Sequence, residues 1–109
     1  MPSVMHVALF RLRDGMDENK IASLLQAARE EVPGVVEIHF GANKVRSTKH
    51  GGLSTNDQTH ALVSRHEHKE HFKNYILHPR HLELMQYICS FAVTPATVVN
   101  FYANERPHL

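Results

Sequence analysis

Within seven residues, Tyr75-Ile76-Leu77-His78-Pro79-Arg80-His81 sets a phenol and two imidazoles around a proline. An imidazole changes charge close to neutral pH and can take or give a proton, while a phenol hydroxyl can donate a hydrogen bond. Pro79 lacks an N–H and suits the first turn of a helix, and it pushes His78 out of helical geometry. Two helical pieces are therefore expected, Glu67 to Leu77 and Pro79 to Phe91. On the first, Tyr75 lies three residues from Phe72 and beside Ile76, and shares their inward face. On the second, His81, Leu84, Met85 and Ile88 recur at i, i+3, i+4 and i+7, one apolar stripe. Tyrosine and histidine tips on buried faces need partners. His6, His60 and Asn100, one on each of three candidate strands, can supply them. Five converging polar groups exceed what a core needs and point to a small-molecule site. A satisfied polar core is the alternative.

A second histidine-rich run is Arg65-His66-Glu67-His68-Lys69-Glu70-His71. His68 and His71 have helical i, i+3 spacing and, with His66, could hold a metal. The interleaved Glu67, Lys69 and Glu70 instead read as a solvated helix start, and no HExxH pattern accompanies them. No metal and no cofactor are assigned. His39, His50 and His108 read as surface positions, and Cys89 as a helical packing residue. Lys44, Arg46 and Arg80 read as scattered surface charge, since no GxGxxG or P-loop pattern is present.

Behind these groups stands an ordinary globular composition. The 109 residues are 42% hydrophobic and 21% charged, which suits a single domain and excludes a disordered chain. A net charge of +1 gives no footprint for nucleic acid or an anionic membrane. One cysteine excludes an intrachain disulfide and a cysteine-based zinc site. No apolar run approaches a membrane span, and the first residues lack a basic-then-apolar leader pattern, so a cytoplasmic setting is expected.

The elements follow from the patterning. Met5 to Leu12 reads as a strand that stops at Asp14-Gly15. Asp17 caps a helix with Ile21, Leu24, Leu25, Ala28 and Val32 on one face, ended by Pro33-Gly34. Val35 to Phe40 is a second strand, with Val36, Ile38 and Phe40 expected on one side. Asn43 to Gln58 is a long polar connection, of the kind that forms lids and binding loops. Thr59 to Arg65 and Ala96 to Tyr102 supply two more strands, and residues 103–109 read as a frayed tail.

This order predicts one α+β domain over residues 1–109, a ferredoxin-like sandwich with helices on one face of a four-stranded antiparallel sheet. One helical layer leaves one sheet face to water, yet both faces are apolar. Met5, Val7 and Leu9 lie opposite His6, Ala8 and Phe10, and Val99 and Phe101 lie opposite Val98, Asn100 and Tyr102. A second copy packed sheet to sheet, a dimeric α/β barrel, is the expected cover.

Several pieces together resemble the stress-responsive α/β-barrel domain family of dimeric ferredoxin-like proteins. They are His6 to Leu12, Val32-Pro33-Gly34-Val35, Thr59 to Ser64, the Tyr75-x-x-His78-Pro79-x-His81 motif, and Val98-Val99-Asn100-Phe101. The motif is the most specific of them. The family includes a plant polyketide cyclase, and the resemblance implies that Tyr75 and His81 are a catalytic pair. They would close a ring on a linear polycarbonyl chain by aldol condensation, with no metal or cofactor. It also implies that His6 and His60 are pocket histidines. Phe72, Ile76, Leu84, Met85 and Ile88 would hold the substrate's hydrocarbon part. Where the family carries aspartate in the last strand this chain has Asn100, expected to orient His81 without adding charge. The alternative function is a non-catalytic stress-responsive dimer that only binds a small ligand, and a third reading is a purely structural dimer.

Overall fold

Hydrophobic alternation and two helix-stopping signals produce seven elements: β1 (Val4–Phe10), α1 (Glu18–Glu31), β2 (Val35–Ala42), β3 (His60–His66), α2 (Lys69–Leu77), α3 (Pro79–Cys89) and β4 (Thr97–Tyr102). The computed structural model describes residues 2–44 and 56–104. Most of the polar connection, with Arg46, Lys49 and His50, lies outside them, as do residues 105–109 with His108.

The four strands form one antiparallel sheet in the order β2-β3-β1-β4, the ferredoxin-like arrangement. Strand β1 alternates strictly. Val4, His6, Ala8 and Phe10 are buried under the helices, while Met5, Val7 and Leu9 face the other way and stay half-exposed. The core gathers Ala8, Phe10, Ile38 and Leu62 from the sheet with Ile21, Ala28, Tyr75, Leu84 and Ile88 from the helices.

Asp17 caps α1 as expected, accepting from the N–H groups of Asn19 and Lys20. The helix ends at Val32, and Gly34 makes the turn into β2 at φ +80°, a conformation that favours glycine.

Four expectations are corrected. The β2–β3 register shifts between Val35 and Glu37, and this bulge leaves Val36 52% exposed rather than beside buried Ile38. β3 runs one residue past the expected Arg65, through His66, and α2 begins at Lys69 rather than Glu67. Cys89, at the last position of α3, is exposed. Ala103 is not frayed: it is buried, and its N–H donates to the Ser3 carbonyl at 2.8 Å.

The helical layer stops short of β4, whose six residues are all exposed, including Val98 and Tyr102 on the helix side. On the far face Val99 and Phe101 are about half-exposed. Among the described residues no helix is long and apolar enough to cross a membrane.

Candidate functional site

The helix break at His78-Pro79 builds the centre of the site. His78 is extended (φ −70°, ψ 139°) and serves both as the C-cap of α2 and as the N-cap of α3. Its Nδ1 accepts the N–H of Arg80 at 3.1 Å. In an unbroken helix that N–H would go to the Ile76 carbonyl. The freed carbonyl instead accepts from His81 Nδ1 at 3.1 Å. Thus the last turn of α2 orients the histidine in the first turn of α3. Since the carbonyl can only accept, His81 Nδ1 carries the hydrogen and Nε2 is left with its lone pair.

Tyr75 lies against this imidazole, ring centroids 4.3 Å apart and planes tilted by 51°. His66 also packs on Tyr75, at 4.4 Å. His6 follows at 6.3 Å, with Phe72 packed against both His6 and His66. His66 Nε2 is paired with the Ser64 hydroxyl at 2.8 Å. His81 Nε2 and the Tyr75 hydroxyl are buried and make no hydrogen bond of acceptable geometry. Buried polar atoms are rarely left so, and with the equally unpartnered His66 Nδ1 there are three on adjoining rings, which mark a place made to receive something polar.

Burial dominates the electrostatics, because Ser64, Asn100, Tyr75, His6, His66 and His81 include no carboxylate. It drives His66 down to about 4, helped by repulsion from His6, His81 and His71. His81 is lowered too: burial outweighs the opposing Ile76 hydrogen bond, and His6 adds to the lowering. Both imidazoles are therefore neutral at pH 7. Burial pushes the Tyr75 hydroxyl up to about 12, with Ser64 close enough to oppose a part of the shift. Tyr75 therefore stays a proton donor throughout the physiological range.

Asn100 stands elsewhere than expected. It pairs in register with His6 across β1 and β4, and its Oδ1 lies 2.5 Å from His6 Nδ1, which donates to it. Asn100 thus orients His6, while the Ile76 carbonyl orients His81. His60 is not brought into the cluster. It opens β3, four residues from the Ser64 that pairs with His6, or roughly 13 Å along the strand. There it stacks on Phe40 at 5.3 Å and pairs with the Thr59 hydroxyl at 2.7 Å. Burial lowers it, against the opposing charge of Asp14 and with the help of Lys44.

Of the apolar wall, Leu84 and Ile88 are completely buried in the core, while Phe72, Ile76 and Met85 are only partly so. A cavity of about 330 Å³ lined by Val4, Phe72, Asn100, Phe101 and Tyr102, with Lys69 and Lys73 at its edge, opens where the helices leave β4 uncovered. Through Phe72 and Asn100 it adjoins the histidine cluster. Ser64 and His66 were missed by sequence reasoning. The signal was available, since Leu62, Ser64 and His66 continue the period-2 face that His60 begins.

The model of the stress responsive A/B barrel domain family matches residues 4–102. No curated protein matches the sequence. Among solved structures, a hydroxynitrile lyase from Passiflora edulis is similar over 98% of both chains, with TM-score 0.75 and 18% identity. A dimeric ferredoxin-like protein of unknown function from Thermobifida fusca matches 93% of this chain and 91% of its own, with TM-score 0.69 and 22% identity. A mutant form of SnoaB, a cofactor-independent oxygenase from Streptomyces nogalater, matches 97% of each chain with TM-score 0.63 and 14% identity. At such identities the likeness is one of fold.

Proposed function

The chain belongs to the stress-responsive A/B barrel domain family, and within it we propose a cofactor-free acid–base enzyme, a cyclase or lyase acting on a polyketide-like, polycarbonyl substrate. One observation carries the reading: His81 Nε2 and the Tyr75 hydroxyl are adjacent, buried and unpaired. His81 Nε2 takes an acidic proton from a carbon between two carbonyls, and Tyr75 donates to the carbonyl oxygen as it becomes an enolate. The enolate carbon attacks a second carbonyl of the same chain, forming the ring bond. The resulting alkoxide recovers the proton from the His81 imidazolium. Asn100 fixes His6 so that its other ring nitrogen, left with a lone pair, can accept from an enol or hydroxyl O–H of the substrate. His60, at the far end of β3, would touch only a substrate long enough to span the sheet. Phe72, Ile76 and Met85 accept the hydrocarbon part, with Leu84 and Ile88 backing them from the core.

That two proteins of this fold bear the names of a lyase and a cofactor-independent oxygenase supports catalysis in general. We further propose a homodimer through the outer sheet face, on which Val99 and Phe101 stand exposed beside Val7 and Leu9. The rival is a dimer that binds a small ligand without turnover, for which the cavity beside Phe72 and Asn100 offers room. A linear poly-β-keto thioester, incubated with the protein and followed by chromatography for ring-closed product, tests the choice. Turnover lost in His81→Gln supports the enzyme. Saturable binding with no turnover supports the rival.

A further inference from the structure

We propose that Glu67, His68 and His71 form a binding site for a borderline divalent cation of the zinc class, at the junction of β3 and α2. One ligand atom from each of the three residues falls within 4.8 Å of the others, a grouping not shared by His66. The Nδ1 atoms of His68 and His71 are buried and have no hydrogen-bond partner. Their rings lie nearly parallel, 22° apart in plane and 5.4 Å between centroids. Solvated histidines at a helix start would turn these nitrogens to water.

The local backbone points the same way. His68 occupies the N-cap of α2 in extended geometry, yet its side chain makes no capping hydrogen bond. That position ordinarily goes to serine, threonine, aspartate or asparagine, each of which satisfies a helix N–H. A histidine held there forgoes that bond and keeps its nitrogen for another partner. His71 is seated directly on Gly34, where an added Cβ would collide with the imidazole Cγ. Glu67 is tied to the same turn, its N–H donating to the Gly34 carbonyl at 2.9 Å. Three ligands are thus gathered by one glycine turn and one helix start.

Two imidazoles and one carboxylate select the ion. Hard magnesium and calcium take oxygen ligands, whereas zinc, cobalt and nickel accept imidazole nitrogen. Zinc–ligand bonds of about 2.0–2.2 Å would draw the donors closer than 4.8 Å, a contraction that the exposed Glu67 can make by side-chain rotation. The fourth position stays open to water. His66 is outside this grouping: its ring packs on Tyr75, its Nε2 is engaged by Ser64, and its buried Nδ1 has no partner. The effect of the ion would be to pin the first turn of α2, the helix that presents Phe72 and Tyr75.

The test is a titration of the untagged, metal-stripped protein with Co²⁺, read by visible absorption, and with Zn²⁺, read by calorimetry. One equivalent per chain at micromolar concentration, with the spectrum of a four- or five-coordinate cobalt, is the expected result. His68→Gln and His71→Gln should each weaken binding by at least the ~10- to 100-fold that loss of an indirect partner costs. Glu67→Gln should weaken it less, and His39→Gln not at all. Circular dichroism checks each variant, and the N-cap variant His68→Gln decides the matter if His71→Gln unfolds. Unchanged affinity in His68→Gln overturns the site, as does millimolar binding by the wild type. Loss of binding in His81→Gln instead would move the ion to the Tyr75 cluster and also overturn it.

Discussion

The Nδ1–H of His81 donates to the carbonyl of Ile76 across the break between α2 and α3, at 3.1 Å. A backbone acceptor cannot titrate or change rotamer, so the orientation of this imidazole is as fixed as the helix end that supplies it. Its Nε2 is thereby committed to being the basic nitrogen beside Tyr75.

His81→Gln should abolish turnover of the poly-β-keto probe while leaving the dimer folded. Tyr75→Phe keeps the ring and should slow the reaction by ~10²–10³-fold, the scale of one lost oxyanion donor. Because the hydroxyl is buried without a proper partner, the same change should leave the urea midpoint equal or higher. A rate retained in both variants would sink the assignment. The pKa of His81 is lowered from 6.5, so the acidic limb of the pH–rate profile should fall below that value.

Pro79→Ala returns an N–H to the junction and lets α2 and α3 tend toward one helix. His81 would lose its carbonyl partner and swing away from Tyr75. The rate should drop by about 100-fold, the scale of an ångström-sized misplacement, with the melting temperature preserved. A fully active variant would show that the break does not position the pair.

Gly34→Ala places a side chain where φ is +80° and where the His71 ring already occupies the space. Backbone strain alone costs roughly 1–2 kcal/mol, and displacing His71 adds to it. The urea midpoint should fall accordingly. A neutral substitution would mean that the turn rearranges freely.

His66 is held at about 4 in the folded chain, against 6.5 for the free side chain. Below 6.5 the unfolded chain takes up a proton that the folded chain refuses. Stability is therefore complete above pH 6.5 and declines as the pH falls toward 4. The lowered His81 acts with the same sign. Urea midpoints at pH 7.5, 5.5 and 4.5, with EDTA present, should show this loss, and His66→Asn should flatten it.

Val99→Lys and Phe101→Lys change side chains that are already half-exposed in one protomer, so the fold should survive. Sedimentation at micromolar concentration should then show monomer where the parent chain shows dimer. An unshifted profile would place the interface on another surface.

The break, the caps and the element order could be read from the sequence because each depends on a few neighbouring residues. Asp17, Pro33-Gly34 and His78-Pro79 carry their own geometry wherever they occur. What depended on register could not be read. Whether Asn100 meets His6 or His81 is decided by which residues of β1 and β4 lie opposite each other. His60 has the correct face but stands four residues along β3 from the level of His6, and facing alone does not reveal that distance. His66 was hidden by its charged neighbours, whose polarity resembles a helix start, while the strand in fact continues as far as His66 itself. Val36 was misplaced by a single-residue bulge that leaves no mark in the hydrophobic pattern.

Among the described residues, strand β4 is joined to the rest of the sheet only through β1, and all six of its residues are exposed. In a lone protomer it would be the first part of the sheet to open, ahead of β1 and β3, which are paired on both sides. Opening releases Asn100 and with it the grip on His6, while His81 and Tyr75, held from the helices, keep their places. Association would then govern one wall of the site and not the other. Dilution should loosen the hold on substrate before it slows the proton transfer itself, so a rise in KM with kcat unchanged would be the first sign of protomers parting.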